Sequence, residues 1–128
     1  MIVGLGIDIV EIARVERLLA DRPERAIERL FLPGEAAYCQ RHAFPPRHFA
    51  ARIAAKEATF KALAGTAGAR DIGWTEIEVV SAAEDGRPSL LLHGRAKARA
   101  EELGVTRVLV SLTHDGGTAA AVVILERE

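Results

Sequence analysis

Three residues of this 128-residue sequence have the types and spacing of metal-assisted phosphoryl chemistry: Asp8, Glu57 and Lys61. Asp8 interrupts the apolar segment 4–10, and a buried carboxylate without a partner is expensive, so Asp8 needs a partner or a task. Glu57 and Lys61 are four residues apart, which places them on the same edge of a helix. Mg²⁺ is commonly bound by two protein carboxylates, with waters and substrate phosphates as its remaining ligands. Lys61 would contact the substrate phosphate that binds this metal. These residues predict a magnesium-assisted reaction at a phosphoryl group.

Each of these residues also has a purely structural interpretation. Asp8 could cap the helix that begins just after it, with Glu11 competing for that position. Glu57 and Lys61 could form an ion pair that faces solvent and contributes roughly a few tenths of a kcal/mol. Lys56, inside the apolar stripe of the same helix, could pack its stem against the core and extend its amine to water.

Histidine and arginine side chains indicate a second kind of site, one for anions. His114 ends a predicted strand beside a turn, with Ser111 and Thr113 nearby. Because no second His or Cys lies at metal-ligand spacing, His114 suits an anion better than a metal. Arg52 lies on the other edge of the helix that carries Glu57. The remaining histidines are predicted to lie at the surface: His42, His48 and His93.

Hydrophobic periodicity predicts an α+β fold, with helices followed by antiparallel strands. A strand over 4–10 precedes helices over 11–21 and 23–30, and Pro33 begins a third. The Pro45-Pro46 pair predicts a break before a long alanine-rich helix that ends at Gly65. The remaining elements are, in order, a loop over 65–73, strands over 75–80 and 89–92, a helix over 93–104, and a hairpin of strands over 107–114 and 119–125.

Composition narrows the class of protein. Hydrophobic residues make up 49% of the chain and charged residues 27%, as in a folded domain, and we expect one domain over 1–128. A net charge of −1 gives no broad attraction to nucleic acid or to anionic membranes, so neither is an expected partner. The single Cys39 cannot form an internal disulfide, and the sequence contains neither a membrane-length apolar run nor signal-peptide features. A cytoplasmic protein is the expectation.

Two surfaces are predicted to contact other chains. The apolar residues of the first helix, such as Ile12 and Val15, leave Arg14 and Arg17 on the opposite face, where a local basic patch can bind an acidic partner. The last two strands are apolar on both faces, so helices over one face of their sheet would leave the other uncovered. Identical copies arranged with cyclic symmetry would cover it.

Several segments together resemble one family, the holo-acyl-carrier-protein synthases, which are the small bacterial phosphopantetheinyl transferases. The resemblance covers nearly the whole chain and keeps the order and spacing of the family's motifs. Phe31 and Glu35 match a Phe-x-x-x-Glu segment, while Ile53 stands where the family usually has an aromatic residue. The matching segments are GIDIVEIARVERL, FLPGEAAYC, ARIAAKEATFKAL, GTAGARDIGWTEIEV, GRP and VSLTHD.

The resemblance implies a transferase that moves 4′-phosphopantetheine from coenzyme A to a serine of an apo-acyl-carrier-protein, leaving adenosine 3′,5′-bisphosphate. It assigns Mg²⁺ to Asp8 and Glu57, together with the coenzyme A pyrophosphate, and a phosphate contact to Lys61. Glu57 is also the candidate general base for the serine hydroxyl.

The resemblance further associates Arg52 and His114 with coenzyme A, with His114 serving a site on the neighbouring subunit of a homotrimer. Arg14 matches the helix that meets the acidic face of the carrier protein, and Arg17 extends that docking patch. Whether Arg41 or Arg47 contacts the adenosine side of coenzyme A stays open at this point.

Two rival functions use the same residues. A Mg²⁺-dependent pyrophosphate hydrolase acting on a nucleotide-like substrate needs the same two acids and lysine but no protein partner. A non-catalytic binding module would keep the acids for structural reasons. Dependence of the reaction on a carrier protein separates the transferase from the hydrolase. For a binding module, Asp8→Asn would leave or raise stability without erasing an activity.

Overall fold

The computed structural model describes residues 1–64 and 71–128. Within these ranges the elements in chain order are β1 (Ile2–Glu11), α1 (Ile12–Asp21), α2 (Pro23–Leu30), α3 (Pro33–Gln40), α4 (Pro45–Leu63), a 3₁₀ helix (Trp74–Glu76), β2 (Ile77–Ser81), β3 (Pro88–Leu92), α5 (Gly94–Glu102), β4 (Arg107–Asp115) and β5 (Thr118–Glu126). In the part of the chain described, no helix is both long enough and apolar enough to cross a membrane.

The described strands form two antiparallel sheets. One has the order β1-β5-β4 and the other pairs β2 with β3. β5 lies in the centre of the first sheet because it pairs with β1 on one side and with β4 on the other, and the turn at Gly116, with φ of +58°, returns the chain directly from β4 into β5. Asp8 pairs with Ala121 of β5, so its position along the sheet is fixed by a strand with neighbours on both sides. The predicted α+β class is confirmed.

Helix α4 lies directly on β1 because β1 has glycine where the two main chains meet. A Cβ atom added to Gly6 would lie 1.8 Å from the carbonyl oxygen of Ala58, and one added to Gly4 would lie 2.5 Å from that of Ala62. Both distances are far below any real carbon contact, so no other residue fits at either position without moving the helix. Six of the twelve buried residues of α4 are alanines, and the two that meet these glycines, Ala58 and Ala62, let the helix approach closely.

The structure differs from the sequence-based prediction at the start of α4. The helix begins at Pro45, so the proline pair lies in its first turn, where a missing N–H costs nothing, and the break falls just before it. The predicted stop at Gly65 and the loop over 65–70 lie outside the described residues. The strand predicted over 75–80 starts at Ile77, because Trp74–Glu76 forms the 3₁₀ helix.

The two faces of β1 have different environments in the single chain. One face lies against α4, as the prediction of a buried strand requires. The other exposes Leu5, Ile7 and Ile9 at between 62% and 68%. The expected uncovered apolar face is therefore present, and β1 provides its most exposed residues.

Candidate active site

Asp8 and Lys61 form the centre of the candidate site. Lys61, on the last turn of α4, donates to Asp8 Oδ1 at 3.0 Å and to the carbonyl oxygen of Ile7 at 2.9 Å. The Asp8 side chain is only 12% exposed, whereas that of Lys61 is 56% exposed. Asp8 Oδ2 is buried and has no hydrogen-bond partner in the part of the chain described. An orphaned carboxylate oxygen is costly unless a ligand completes its shell.

Glu57 lies one helical turn before Lys61 and lines the same cavity as Asp8, a space of about 990 Å³ bounded by β1, α1, α2 and α4. Burial raises the pKa of Glu57, and the negative charge of Asp8 raises it further, while Lys61 and Arg14 lower it. The two carboxylates are therefore close enough to repel each other.

Two structural interpretations of these residues are wrong. Lys61 pairs with Asp8 and, among the described residues, makes no ion pair with Glu57. Asp8 does not cap α1, because that helix begins at Ile12 with Glu11 at the N-cap and has no side-chain capping bond. Glu11 instead lies 3.7 Å from Arg17, and both side chains are exposed.

The donor set fits Mg²⁺. Asp8, whose Oδ2 is buried without a partner, and Glu57 line one cavity, and two carboxylates that repel each other are stabilised by a divalent cation placed between them. In residues 1–64 and 71–128 there is no group of three or more His, Cys, Asp or Glu able to hold a metal. A magnesium ion at Asp8 and Glu57 would thus take its other ligands from water and phosphate oxygens, which is how Mg²⁺ is usually bound.

The same cavity has a basic rim. Arg14 and Arg17 line it from α1, and both are exposed, as predicted. The sequence analysis missed three further arginines, from α2 and the residue before it, that line the cavity too: Arg22, Arg25 and Arg29. Their spacing of three and four residues places them on one helix face, and that spacing was the available signal.

Arg52 and His114 lie in a different cavity, of about 430 Å³, bounded by α3, α4, the turn between β2 and β3, and β4. Arg52 is buried and donates to Ser81 Oγ at 2.7 Å and to the carbonyl oxygen of His48 at 3.3 Å. Its guanidinium lies 4.3 Å above the ring of Tyr38. Of the three residues predicted to bind coenzyme A, the structure thus brings Arg52 and His114 together in this cavity, whereas Lys61 lies beside Asp8 and the other cavity.

Two of the three histidines expected at the surface are half-buried. The rings of His42 and His48 stack with their centroids 3.8 Å apart. Burial, followed by the charges of His42 and Arg52, lowers the pKa of His48 to about 4, so this ring is neutral at neutral pH. His93 is exposed as predicted and lies 2.9 Å from Glu78.

The positive charge of the second cavity comes from arginine. Arg87 lines it beside Arg52, and its segment, the GRP motif, was part of the resemblance. Arg41 stacks over Tyr38 and Arg47 over Phe44, and neither lines this cavity. The choice between Arg41 and Arg47 as an adenosine contact stays a prediction.

Lys56 does not extend to water. Its side chain is 0% exposed, and its Nζ lies 2.8 Å from Oε1 of Glu35, which is also 0% exposed. Burial lowers the pKa of Lys56, and the charge and hydrogen bond of Glu35 oppose that shift. The interpretation of Lys56 as a side chain with a solvated amine is wrong, because an acid from α3 meets it inside the core.

Residues 4–123 match the family model of the 4′-phosphopantetheinyl transferase superfamily, and the chain belongs to that superfamily. The predicted family is therefore confirmed. The chain is 49% identical over 129 residues to the holo-[acyl-carrier-protein] synthase of Anaeromyxobacter dehalogenans strain 2CP-1, covering 98% of this chain and 97% of the relative. Its identity to the synthase of that name from Geobacter sulfurreducens is 46% over 127 residues, with 99% of each covered.

Solved structures match over the same length. The crystal structure of holo-[acyl-carrier-protein] synthase from Neisseria meningitidis has a TM-score of 0.83 and 29% identity, covering 99% of this chain and 100% of that one. The Helicobacter pylori synthase in complex with coenzyme A has a TM-score of 0.80 and 28% identity, with 95% and 99% covered.

Proposed function

We propose that this chain transfers 4′-phosphopantetheine from coenzyme A to a serine hydroxyl of an apo-acyl-carrier-protein, as a holo-acyl-carrier-protein synthase. The products are the holo carrier protein and adenosine 3′,5′-bisphosphate. The observation that carries the proposal is the buried, unpartnered Oδ2 of Asp8, which shares a cavity with Glu57 while Oδ1 holds Lys61 at 3.0 Å. The chain belongs to the 4′-phosphopantetheinyl transferase superfamily, which supports coenzyme A and a carrier protein as the substrates of this site.

The reaction forms one bond and breaks another. The serine oxygen attacks the β-phosphorus of the coenzyme A pyrophosphate, and the bond from that phosphorus to the leaving 3′,5′-bisphosphate breaks. Mg²⁺ bound by Asp8 and Glu57 would neutralise charge on the pyrophosphate oxygens. Lys61, whose half-exposed ammonium is already held beside Asp8, would hold an oxygen of the transferred phosphoryl group.

Glu57 is the proposed acceptor of the serine proton. In the metal-free chain, burial and then the charge of Asp8 raise the pKa of Glu57, so its carboxylate takes up a proton or a cation more readily than that of an ordinary glutamate. Asp8 contributes the charge that raises the pKa of Glu57. The two acids therefore have different tasks: Asp8 orients Lys61 and binds the metal, and Glu57 binds the metal and accepts the proton.

Arg52 and His114 are proposed to bind coenzyme A across a subunit boundary. Both line a cavity separate from that of Asp8 and Glu57, which supports a site that combines the first cavity of one chain with the second cavity of another. The exposed apolar face formed by Leu5, Ile7 and Ile9 supports an assembly of identical copies, which we propose to be a homotrimer.

The basic rim of the first cavity is the proposed docking surface for the acidic carrier protein. Arg14 and Arg17 lie beside the acids, and the arginines of α2 extend the patch along the same cavity. This arrangement supports delivery of the carrier serine to Glu57, because a positive rim attracts an acidic protein and orients its approach.

We also propose a cytoplasmic location. Cys39 is a free, fully buried thiol, and burial raises its pKa to about 12. The chain therefore needs no oxidising compartment, which agrees with a place of action beside the carrier proteins.

Mass spectrometry of an apo-acyl-carrier-protein incubated with coenzyme A, Mg²⁺ and this protein tests the proposal. The expected result is a mass gain of one phosphopantetheine on a serine, abolished by EDTA. Consumption of coenzyme A without a carrier would instead indicate a hydrolase. If none of a panel of bacterial carrier proteins is modified and no coenzyme A is consumed, the proposed transferase activity is overturned, and the protein is a non-catalytic binding module.

A further inference from the structure

The buried pair of Glu35 and Lys56 joins four elements of the fold. Lys56 Nζ donates to Glu35 Oε1 at 2.8 Å, to the carbonyl oxygen of Trp74 at 2.9 Å and to that of Ile77 at 2.6 Å. An ammonium has three donors, and each has one partner here. The three partners come from α3, the 3₁₀ helix and β2, while Lys56 itself belongs to α4.

Glu35 is equally well satisfied. Its Oε1 also accepts the backbone N–H of Leu32 at 2.9 Å, and its Oε2 accepts that of Val79 at 2.8 Å. The three bonds of Lys56 tie α4 to its neighbours, and the bond from Val79 ties α3 to β2, so the directions of these bonds favour one arrangement of α4 relative to α3 and β2.

Side-chain shape does little to fix α4 where the helix meets β1, although larger buried side chains of the same helix, Phe49, Ile53 and Leu63, pack into the core clusters and hold it as well. The helix meets β1 through the smooth contact of alanines with glycines, which sets how close the two elements lie but offers few protrusions that would resist sliding or rotation. The buried alanines of α4 are Ala50, Ala51, Ala54, Ala55, Ala58 and Ala62.

Glu57 directly follows Lys56, so any rotation or slip of α4 that breaks the bonds of Lys56 also displaces Glu57. One residue of slip corresponds to about 1.5 Å along the axis and about 100° around it, enough to turn Glu57 away from Asp8. The same lysine holds the backbone of Trp74, whose side chain lines the cavity of Asp8 and Glu57 and lies 5.2 Å, ring centre to ring centre, from Phe60.

We propose that the buried Glu35–Lys56 pair fixes the register of α4 and thereby aims Glu57 at Asp8, which makes Glu35 and Lys56 positioning residues of the reaction. Neither residue touches the substrate. The role rests on the proposed function, because it assigns Glu57 a task at the metal. The proposed role differs from simple stabilisation, because a buried ion pair often adds little to stability. In some proteins such a pair is retained because it selects one conformation.

The test compares Glu35→Gln with Leu125→Ala, assayed at a temperature at which both remain folded. Glu35→Gln removes the charge and one of the acceptors. Leu125→Ala removes a fully buried side chain of β5 that lies beside Gly4 at the contact of β1 with α4, so it loosens the packing there and lowers the melting temperature but removes no bond of the network. Four quantities are measured. The first two are kcat and carrier KM with saturating Mg²⁺, the third is Mn²⁺ affinity by electron paramagnetic resonance, alone and with coenzyme A, and the fourth is the emission of Trp74, the single tryptophan.

The expected result for Glu35→Gln is a loss of about tenfold in kcat and in Mn²⁺ affinity, a shifted Trp74 emission, and a carrier KM within twofold of the parent. Leu125→Ala should keep both kcat and Mn²⁺ affinity within threefold. The proposal is overturned by a folded Glu35→Gln protein that keeps both kcat and Mn²⁺ affinity within threefold of the parent. It is also overturned if the only change in Glu35→Gln is a higher carrier KM. If Glu35→Gln does not fold, Lys56→Arg, which keeps the charge but not the three-bond geometry, is judged by the same limits.

Failure of this inference is distinguishable from failure of the proposed function. If the parent protein modifies no carrier, the proposed function is overturned. Mn²⁺ affinity and Trp74 emission are measured without a carrier, so in that case they still decide whether the Glu35–Lys56 pair positions Glu57. A parent protein that binds no Mn²⁺ under either condition removes the metal site and overturns the positioning role with it.

Discussion

Lys61 joins β1 to α4 at the candidate site: its Nζ lies 3.0 Å from Asp8 Oδ1, although 53 residues separate the two in sequence. The contact occupies one oxygen of Asp8 and leaves the other, Oδ2, buried without a partner. A charged lysine and an unsatisfied carboxylate oxygen are thus held side by side, where a phosphate and its cation would bind.

Asp8→Ala and Glu57→Ala are expected to lower turnover at least a hundredfold while leaving a folded protein. Each removes one of the two proposed metal ligands, whereas the Asp8–Lys61 pair, half exposed on the lysine side, contributes less than about 1 kcal/mol to stability. Turnover is measured as phosphopantetheine transfer over a Mg²⁺ series, and folding by circular dichroism. Glu101→Ala, exposed on α5 away from both cavities, serves as the control. Near-normal turnover of either variant at limiting Mg²⁺ would contradict the metal assignment.

Lys61→Ala should reduce kcat by more than it weakens the binding of coenzyme A. The charge of Lys61 matters most when charge redistributes over the phosphoryl oxygens, so its loss affects the transition state more than the bound substrate. Single-turnover rates and calorimetric Kd values for coenzyme A provide the comparison. Equal losses in rate and affinity would assign Lys61 to ground-state binding alone.

Arg14→Glu is expected to raise the KM for the carrier protein by about tenfold, with a weaker salt dependence of association and little change in the KM for coenzyme A. Arg14 is exposed on α1, so the core does not need it, and reversing its charge repels an acidic partner. Lys97→Glu, exposed on α5, is the matched charge reversal away from the cavity. Carrier kinetics that respond equally to both changes would refute docking at α1.

His48 is expected to titrate near pH 4 and to make stability depend on pH. Its pKa of about 4 in the folded protein lies below the ordinary value of 6.5, so between these values the unfolded chain binds more protons. The contribution of His48 to the unfolding free energy is therefore complete above about pH 6.5 and is lost as the pH falls towards 4. Proton NMR of the imidazole gives the midpoint, and His48→Gln should flatten the pH dependence of unfolding across this window. A midpoint near 6.5 would rule out the effect of burial.

Mixing Asp8→Ala with His114→Ala subunits should restore part of the activity that each variant lacks. If His114 serves the site of a neighbour, some interfaces of a mixed trimer combine an intact Asp8 with an intact His114. Light scattering establishes the oligomeric state, and differently tagged subunits show that hybrids have formed. A monomer, or hybrids without recovered activity, would exclude a site shared between chains.

The elements of this fold could be predicted from local sequence, because glycine and proline positions and apolar periodicity fix most boundaries. The exceptions have physical reasons. Pro45 and Pro46 act as helix starters because the first helical turn needs no N–H donors. The environment of Lys56 was out of reach, since a buried lysine requires a partner, and Glu35 lies 21 residues away on another helix. For Asp8, the sequence indicated either a metal ion or the start of α1 as its partner. The direct contact with Lys61 depends on the packing of α4 on β1, which local sequence does not reveal.

The glycine contact between β1 and α4 has a consequence for how the enzyme can change over evolutionary time. Two main chains touch there, at Gly6 and Ala58, so the gap between the strand bearing Asp8 and the helix bearing Glu57 is already the smallest that atoms allow. Larger or smaller core side chains elsewhere can accumulate without resetting that gap, because no side chain separates the two elements at this point. Substitutions elsewhere in the core are therefore expected to leave the distance between the strand of Asp8 and the helix of Glu57 unchanged.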